Sequence, residues 1–241
     1  MCEECGCGDE ETEKPKPSEK VVEVNRSVKE VNDVLADQIR SFLQQKKVLC
    51  VNIMGSPGSG KTSVIEGISK NIKAAELMVI QGDLESEIDK KRLQNQEIDS
   101  YQINTHTGCH LNAAMVNKAL LELNLDNKKY LIIENVGNLV CPAGVQIGQH
   151  VNIVVGSTTE GPDKPKKYPH IFADANIVLV SKYDLAEATS FDEKSFSQDV
   201  TKLNPKAKIF NTSSKNSESF EKIAHFLIHK RDHLIGKKHE H

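Results

Sequence analysis

Eight residues, Gly55-Ser56-Pro57-Gly58-Ser59-Gly60-Lys61-Thr62, restrict this chain more than any other stretch. Their spacing is G-x-x-x-x-G-K-[ST], the phosphate-binding loop of nucleotide triphosphatases. Each residue type has a physical task in such a loop. Glycines let the backbone curl so that successive N–H groups converge on phosphate oxygens at the positive end of the following helix. A lysine at position 61 reaches the β- and γ-phosphates, and the Thr62 hydroxyl holds Mg²⁺. The context is the required one. An apolar run, Val48-Leu49-Cys50-Val51-Asn52-Ile53-Met54, precedes the loop, and a helical pattern opens at Ser63. A glycine-rich turn that binds nothing would not need a strand before it and a helix after it.

The rest of the chain repeats that grammar. Strands are expected at 48–54, 77–82, 100–103, 130–134, 151–157, 177–181 and 207–211. Helices are expected at 62–74, 87–97, 109–124, near 164–173, 192–203 and 216–234. Continuous apolar runs such as Leu131-Ile132-Ile133 and Ile177-Val178-Leu179-Val180 mark strands buried on both faces. The fold class is therefore α/β: a mostly parallel sheet with helices on both faces, a P-loop NTPase. Ahead of it, Val24, Val28, Val31, Leu35, Ile39, Phe42 and Leu43 recur at three- and four-residue steps, an amphipathic helix within 21–47. Residues 1–20 offer almost nothing to a core and read as a tail and linker, leaving 21–241 as the nucleotide-binding domain. With 31 Lys+Arg against 34 Asp+Glu, the basic surplus of a nucleic-acid binder is absent. No run approaches a membrane span and no apolar signal core opens the chain, so a soluble cytoplasmic protein is expected.

In parallel sheets of this kind ligands sit beyond the carboxyl ends of the strands, and the polar motifs fall there. Gly82-Asp83 follows the second strand; Asp83 either holds a Mg²⁺-bound water or senses the γ-phosphate, or else caps a helix. Glu134-Asn135-Val136-Gly137 follows the fourth, in the form D-x-x-G with Glu for Asp. Glu134 would touch Mg²⁺ through water and the Gly137 amide would meet the γ-phosphate. Ser181-Lys182-Tyr183-Asp184 varies N-K-x-D. One carboxylate accepts both guanine donors, so Asp184 selects GTP over ATP, and the Lys182 stem covers the base. Ser213-Ser214-Lys215 stands where a third guanine-contacting element, S-A-K, belongs. In this order the motifs describe a GTPase.

A second chemistry is not needed for nucleotide binding. Cys2, Cys5 and Cys7 crowd one end of the polar tail, too close together for a disulfide framework and suited to a soft or borderline metal. Cys109-His110 follows the loop Thr105-His106-Thr107-Gly108, and Cys141 lies seven residues after Glu134. Two thiolates and an imidazole suit Zn²⁺ or Ni²⁺; the alternative is buried core cysteines, which is the expectation for Cys50. Three ligands leave one position open, for transfer or for a second protomer across a two-fold axis. The segment from Glu134 to Cys141 ties a metal ligand to a γ-phosphate reader.

Taken together, Cys2-x-x-Cys5-Gly6-Cys7, the phosphate loop, Gly108-Cys109-His110-Leu111, the run 134–142 and Lys167-Tyr168-Pro169 resemble the HypB family, GTPases that help deliver nickel to [NiFe]-hydrogenase. The resemblance implies a SIMIBI-class G domain with slow GTP hydrolysis and a homodimer promoted by GTP and metal. It implies a tight nickel site at Cys2, Cys5 and Cys7, and a second Zn²⁺ or Ni²⁺ site at Cys109, His110 and Cys141 on the dimer interface. As partners it implies a hydrogenase accessory protein and the hydrogenase large subunit. The chain departs from the pattern at His106, where Gly is usual, at Asn112, where Asp is common, and at Ser217-Glu218-Ser219 for Gly-Glu-Gly. His225, His229 and His233 are spaced to share one helix face, read as a solvated face. Two competing functions are a urease-accessory-type nickel GTPase, whose motif is Cys-Pro-His, and a metal-storage protein with a vestigial nucleotide site.

Overall fold

The computed structural model describes residues 19–82, 87–105 and 108–237, with side chains described outside 19–26 and 87–90. Asp83, His106, the Cys2/Cys5/Cys7 cluster and the last residues, His239-Glu240-His241, lie outside the described residues.

Seven strands form one sheet in the order β3-β2-β4-β1-β5-β6-β7, every pair parallel. The strands are β1 (Leu49–Gly55), β2 (Leu77–Gly82), β3 (Asp99–Ile103), β4 (Tyr130–Glu134), β5 (Val151–Ser157), β6 (Ile177–Ser181) and β7 (Lys208–Asn211). Parallel strands need crossovers, and helices supply them: α2 (Lys61–Ser69), α3 (Glu87–Gln94), α4 (Ala113–Glu122), the short α5 (Lys164–Lys167) and α6 (Pro169–Ala173), α7 (Glu193–Leu203) and α8 (Glu221–Leu234), preceded by α1 (Glu19–Gln45). The strand sequence explains the three layers. Alternate residues Leu49, Val51 and Ile53 of β1 join a core shared with α2 and α8. Cys50 joins the opposite layer with Ala36, Ile39 and Leu43 of α1 and Val116 of α4. That second layer continues under α6 and α7 through Phe172 and Phe196, packed edge to face at 6.0 Å between ring centroids.

Expected strand positions hold to within a residue. Of the helices, that expected at 62–74 ends at Ser69, that at 87–97 ends at Gln94, and that at 216–234 opens as a 3₁₀ turn over Ser217–Phe220; three others differ for identifiable reasons. The helix after β3 begins at Ala113, not 109, because Asn112 adopts an extended conformation and its side chain accepts from Met115 N, an N-cap. Cys109 and His110 therefore sit on a loop. Residues 164–173 split in two at Tyr168 (φ −131°, ψ 56°), since the following Pro169 disfavours helical backbone there. Among the described side chains of α1, Ala36, Ile39 and Leu43 are buried on the domain, whereas Val28, Val31 and Val34 are each at least 60% exposed, with Asn32 between them bonded to Gln146 O and Ala113 N.

β1 lies between β4 and β5 at the middle of the sheet, and the chain after it swings outward to β2 before returning to β4. The crevice above β1 is thus flanked by the ends of β4 and β5, which brings the sequence motifs to one rim.

Candidate functional site

The phosphate loop leaves β1 at Gly55 and enters α2 at Lys61. Gly58 (φ 71°) and Gly60 (φ 96°) supply the left-handed turns that a side chain would resist. The loop is fastened from several directions. Ser181 Oγ donates to Ser59 O, Lys182 Nζ donates to Gly58 O at 2.8 Å, and Lys61 Nζ donates to Gly55 O and Ser56 O at 3.3 and 3.1 Å. Ser63 continues the first turn. A cavity of about 450 Å³ opens above the loop, lined among others by Lys61, Thr62, Gln81, Arg92, Glu134 and Lys182.

Glu134 ends β4 with both carboxylate oxygens engaged: Thr62 Oγ1 donates to Oε1 at 2.8 Å and Gln81 Nε2 to Oε2 at 3.3 Å. All three are buried. A hydroxyl and a carboxylate side by side at the phosphate end of the cavity are the oxygen donors a hard cation such as Mg²⁺ requires. The segment beyond Glu134 presses onto the loop. Asn138 N donates to Gly55 O at 3.1 Å, and a Cβ on Gly137 would lie 2.9 Å from Pro57 Cγ; only a glycine allows that approach.

At the base end, Asp184 and Ser213 are brought together from separate strands. Ser213 Oγ donates to Asp184 Oδ1 at 2.7 Å, and Lys215 Nζ pairs with Oδ2 at 3.0 Å. These two bonds, Ser213 first, hold the carboxyl below the usual carboxylate range, keeping it an acceptor. Ser214 is exposed between them. Lys182 adopts a left-handed conformation (φ 53°) that turns its stem back over the loop.

The metal-ligand candidates also meet. The ligand atoms of Cys109, His110 and Cys141 all lie within 4.8 Å of one another, the one such group among the described residues. Cys109 Sγ is 3.5 Å from His110 Nδ1. The hydrogen bond to the Cys141 thiol, ahead of burial, raises the Cys109 thiol above its ordinary value. Two soft donors and an imidazole at this spacing match Ni²⁺ or Zn²⁺. Cys50, by contrast, is a core thiol with no solvent exposure, and burial pushes it up to about 12. His225, His229 and His233 are all exposed on α8.

Sequence motifs do not reveal Arg92. It projects from α3, donates from Nε and Nη2 to the two oxygens of Glu66, and from Nη2 to Ser63 Oγ at 3.1 Å. An arginine in a short polar helix carries no signal of its own; only the folded crossover brings it to the cavity.

The model of the CobW/HypB/UreG nucleotide-binding domain matches residues 49–211. The hydrogenase/urease maturation factor HypB of Helicobacter hepaticus is 38% identical over 230 residues, spanning 94% of this chain and 95% of that protein. The crystal structure of HypB from Helicobacter pylori in complex with nickel is 37% identical, with a TM-score of 0.81 over 87% of this chain and 99% of that one. The signal recognition particle receptor FtsY from Elizabethkingia anophelis, in complex with GDP, is 14% identical with a TM-score of 0.51, covering 91% of this chain and 78% of its own; it shares the fold alone.

Proposed function

We propose, from the premise that the chain belongs to the HypB family of hydrogenase maturation factors, that it is a GTP-hydrolysing nickel metallochaperone serving [NiFe]-hydrogenase. The observation that carries this is the convergence of Cys109, His110 and Cys141 on loops abutting a nucleotide cavity with the motifs of a GTPase. Nickel is the cargo. Lys61 would leave the Gly55 and Ser56 carbonyls for the β- and γ-phosphates, and the Gly137 amide would read the γ-phosphate. Thr62, Glu134 and Asp83 are assigned to Mg²⁺ and the attacking water; the cation would neutralise charge growing on the transferred phosphoryl group. Asp184 takes the guanine N1–H and N2–H₂, with Lys182, Ser213, Ser214 and Lys215 framing the base. Hydrolysis is expected to be slow, as the family resemblance implies.

The three-ligand site is assigned to Ni²⁺ or Zn²⁺, with its open position completed across a homodimer. Cys2, Cys5 and Cys7 are assigned to a second nickel site on the tail formed by residues 1–20, carried by a GTPase domain at 21–241. The partners are a hydrogenase accessory protein and the large subunit, in the cytoplasm. Separate Cys109-His110 and Cys141-Pro142 elements speak against the urease-accessory motif Cys-Pro-His, and the fastened phosphate loop speaks against a vestigial nucleotide site.

The test is nickel titration with GDP or a non-hydrolysable GTP analogue while the oligomeric state is followed, with Lys61→Ala as control. Two nickel equivalents per chain and a nucleotide-dependent dimer are expected. A wild-type protein that binds no GTP, or whose nickel binding ignores Cys109 and Cys141 substitution, overturns the reading.

A further inference from the structure

One and four residues past Glu134 stand two asparagines, Asn135 and Asn138, whose side chains bond into the metal-bearing loops. Asn135 is 2% exposed. A buried amide must find partners, and it does. Its Oδ1 accepts from Leu111 N at 3.0 Å and from Val136 N at 2.9 Å, while its Nδ2 donates to Asn52 Oδ1 at 3.2 Å. Asn52 in turn donates to Asn152 Oδ1 at 3.2 Å, so the amide is braced through β1 to β5. Leu111 follows His110 directly. Its side chain is fully buried and lies so close to Gly82 that a Cβ there would be 2.7 Å from it. The Cys109-His110 loop is therefore pinned at its downstream end, by backbone to Asn135 and by side chain to the end of β2.

Asn138 does the same for the third ligand. Its Oδ1 accepts from Val140 N at 2.7 Å and from Cys141 N at 3.3 Å, folding the chain so that the thiol returns toward Cys109. The backbone of the same residue donates to Gly55 O at 3.1 Å. That carbonyl is one of the two that receive Lys61 Nζ. When Lys61 turns to the phosphates, Gly55 O is left to Asn138. Both halves of the ligand set thus hang from one stretch, Glu134-Asn135-Val136-Gly137-Asn138, whose other side contacts Thr62, Gly55 and Pro57.

We infer that Asn135 and Asn138 are the positioning residues through which nucleotide state sets the geometry of the nickel-binding triad: Asn135 places Cys109 and His110, and Asn138 places Cys141. The inference rests on the nickel-switch reading above and adds to it the two side chains that transmit the switch. Neither asparagine is a metal ligand. A shift of the 134–138 backbone on GTP binding moves both anchors at once, so the thiolates change their separation without any long-range rearrangement. A residue that merely supports the fold would weaken nickel binding equally in both nucleotide states. A transmitting residue changes the ratio between them, because coupling is a difference of affinities.

The experiment uses the full chain with Cys2, Cys5 and Cys7 replaced by Ser, so that Ni²⁺ reports only the inner site. Nickel dissociation constants are measured from the Ni–thiolate charge-transfer band with GDP and with a non-hydrolysable GTP analogue. In this background the two should differ by between about 5- and 150-fold, the usual span of coupling between sites. Asn138→Ala should bring the ratio to within about twofold of unity, and Asn138→Asp, which keeps the acceptor for Cys141 N, should restore it. Asn135→Ala should act in the same direction; should it fail to fold, the half-buried Asn138 pair decides. If the background shows coupling and Asn138→Ala retains it in full, the inference is overturned while the nickel-switch reading stands. If the background shows Ni²⁺ binding but no dependence on nucleotide, the switch reading itself falls, and this inference with it.

Discussion

Gly137→Ala isolates the contact between the γ-phosphate-reading segment and the phosphate loop. The added Cβ would lie 2.9 Å from Pro57 Cγ and 3.0 Å from Pro57 Cα and N. Favourable carbon–carbon separations begin at about 3.5 Å, so the two segments must part by roughly 0.5 Å. Pro57 cannot swivel to absorb this because its ring fixes φ. Gly137 itself is not in the left-handed region, so the penalty is one of contact and not of backbone strain. Inserting a methyl into a packed contact costs about 1–3 kcal/mol. Unbound, the segment at 137 is half-exposed and can retreat. With GTP it must close, so the strain falls on the complex. GTP-analogue affinity should drop by about 5- to 150-fold, at 1.4 kcal/mol per tenfold. GDP, which lacks the phosphate that the Gly137 amide meets, should lose much less. Fluorescence titration with labelled GTP-analogue and GDP measures both. Equal losses for the two nucleotides, or none, would refute the assignment of Gly137 to the γ-phosphate.

Asp184→Asn replaces one acceptor oxygen by a donor, so GTP affinity should fall by roughly a hundredfold or more while xanthosine triphosphate gains; unchanged guanine preference in competition binding defeats the base assignment. Joint replacement of Cys2, Cys5 and Cys7 by Ser should remove the tighter nickel equivalent; a titration with the same stoichiometry and affinity as wild type rules out the tail site. Burial first, then the Arg40 charge, depresses His150 to about 4, and its Nδ1 accepts from Cys50 N at 2.9 Å. The unfolded chain therefore takes up this proton first, and stability is lost as pH falls from about 6.5 through about 4. Urea melts at pH 7 and pH 5 should show a smaller acid loss for His150→Gln than for wild type; identical losses would remove His150 as a cause.

Strand positions were legible because parallel strands buried on both faces leave continuous apolar runs bounded by polar residues, as at Leu131-Ile132-Ile133. The phosphate loop, Glu134, Gly137 and Asp184 were legible because phosphate and guanine demand fixed residue types at fixed distances from strand ends. The helix boundary at Ala113 was harder, since Leu111 continues the apolar pattern of α4 upstream of the Asn112 cap. In α1 the spacing correctly gives a helix but cannot tell which apolar residues are covered; Ile39 is, and Val31 is not. Arg92 and the asparagine anchors were not legible. Their partners, Glu66 for one and Leu111 N and Cys141 N for the others, are set by crossovers and loop shape rather than by local pattern.

The pairing of Asp184 with Lys215 has a kinetic consequence. A triphosphate arriving at the rim meets carboxylates whose charge is already compensated: Asp184 by Lys215, and Glu66 by Arg92. The charged residues lining the cavity are Lys61, Arg92 and Lys182 against Glu134. That surplus of positive charge in the lining attracts a polyanion, so capture should be fast at low ionic strength and slow as salt shortens the reach of those charges. The ion pair at the base pocket is, during the encounter, what keeps its own carboxylate from turning the nucleotide away.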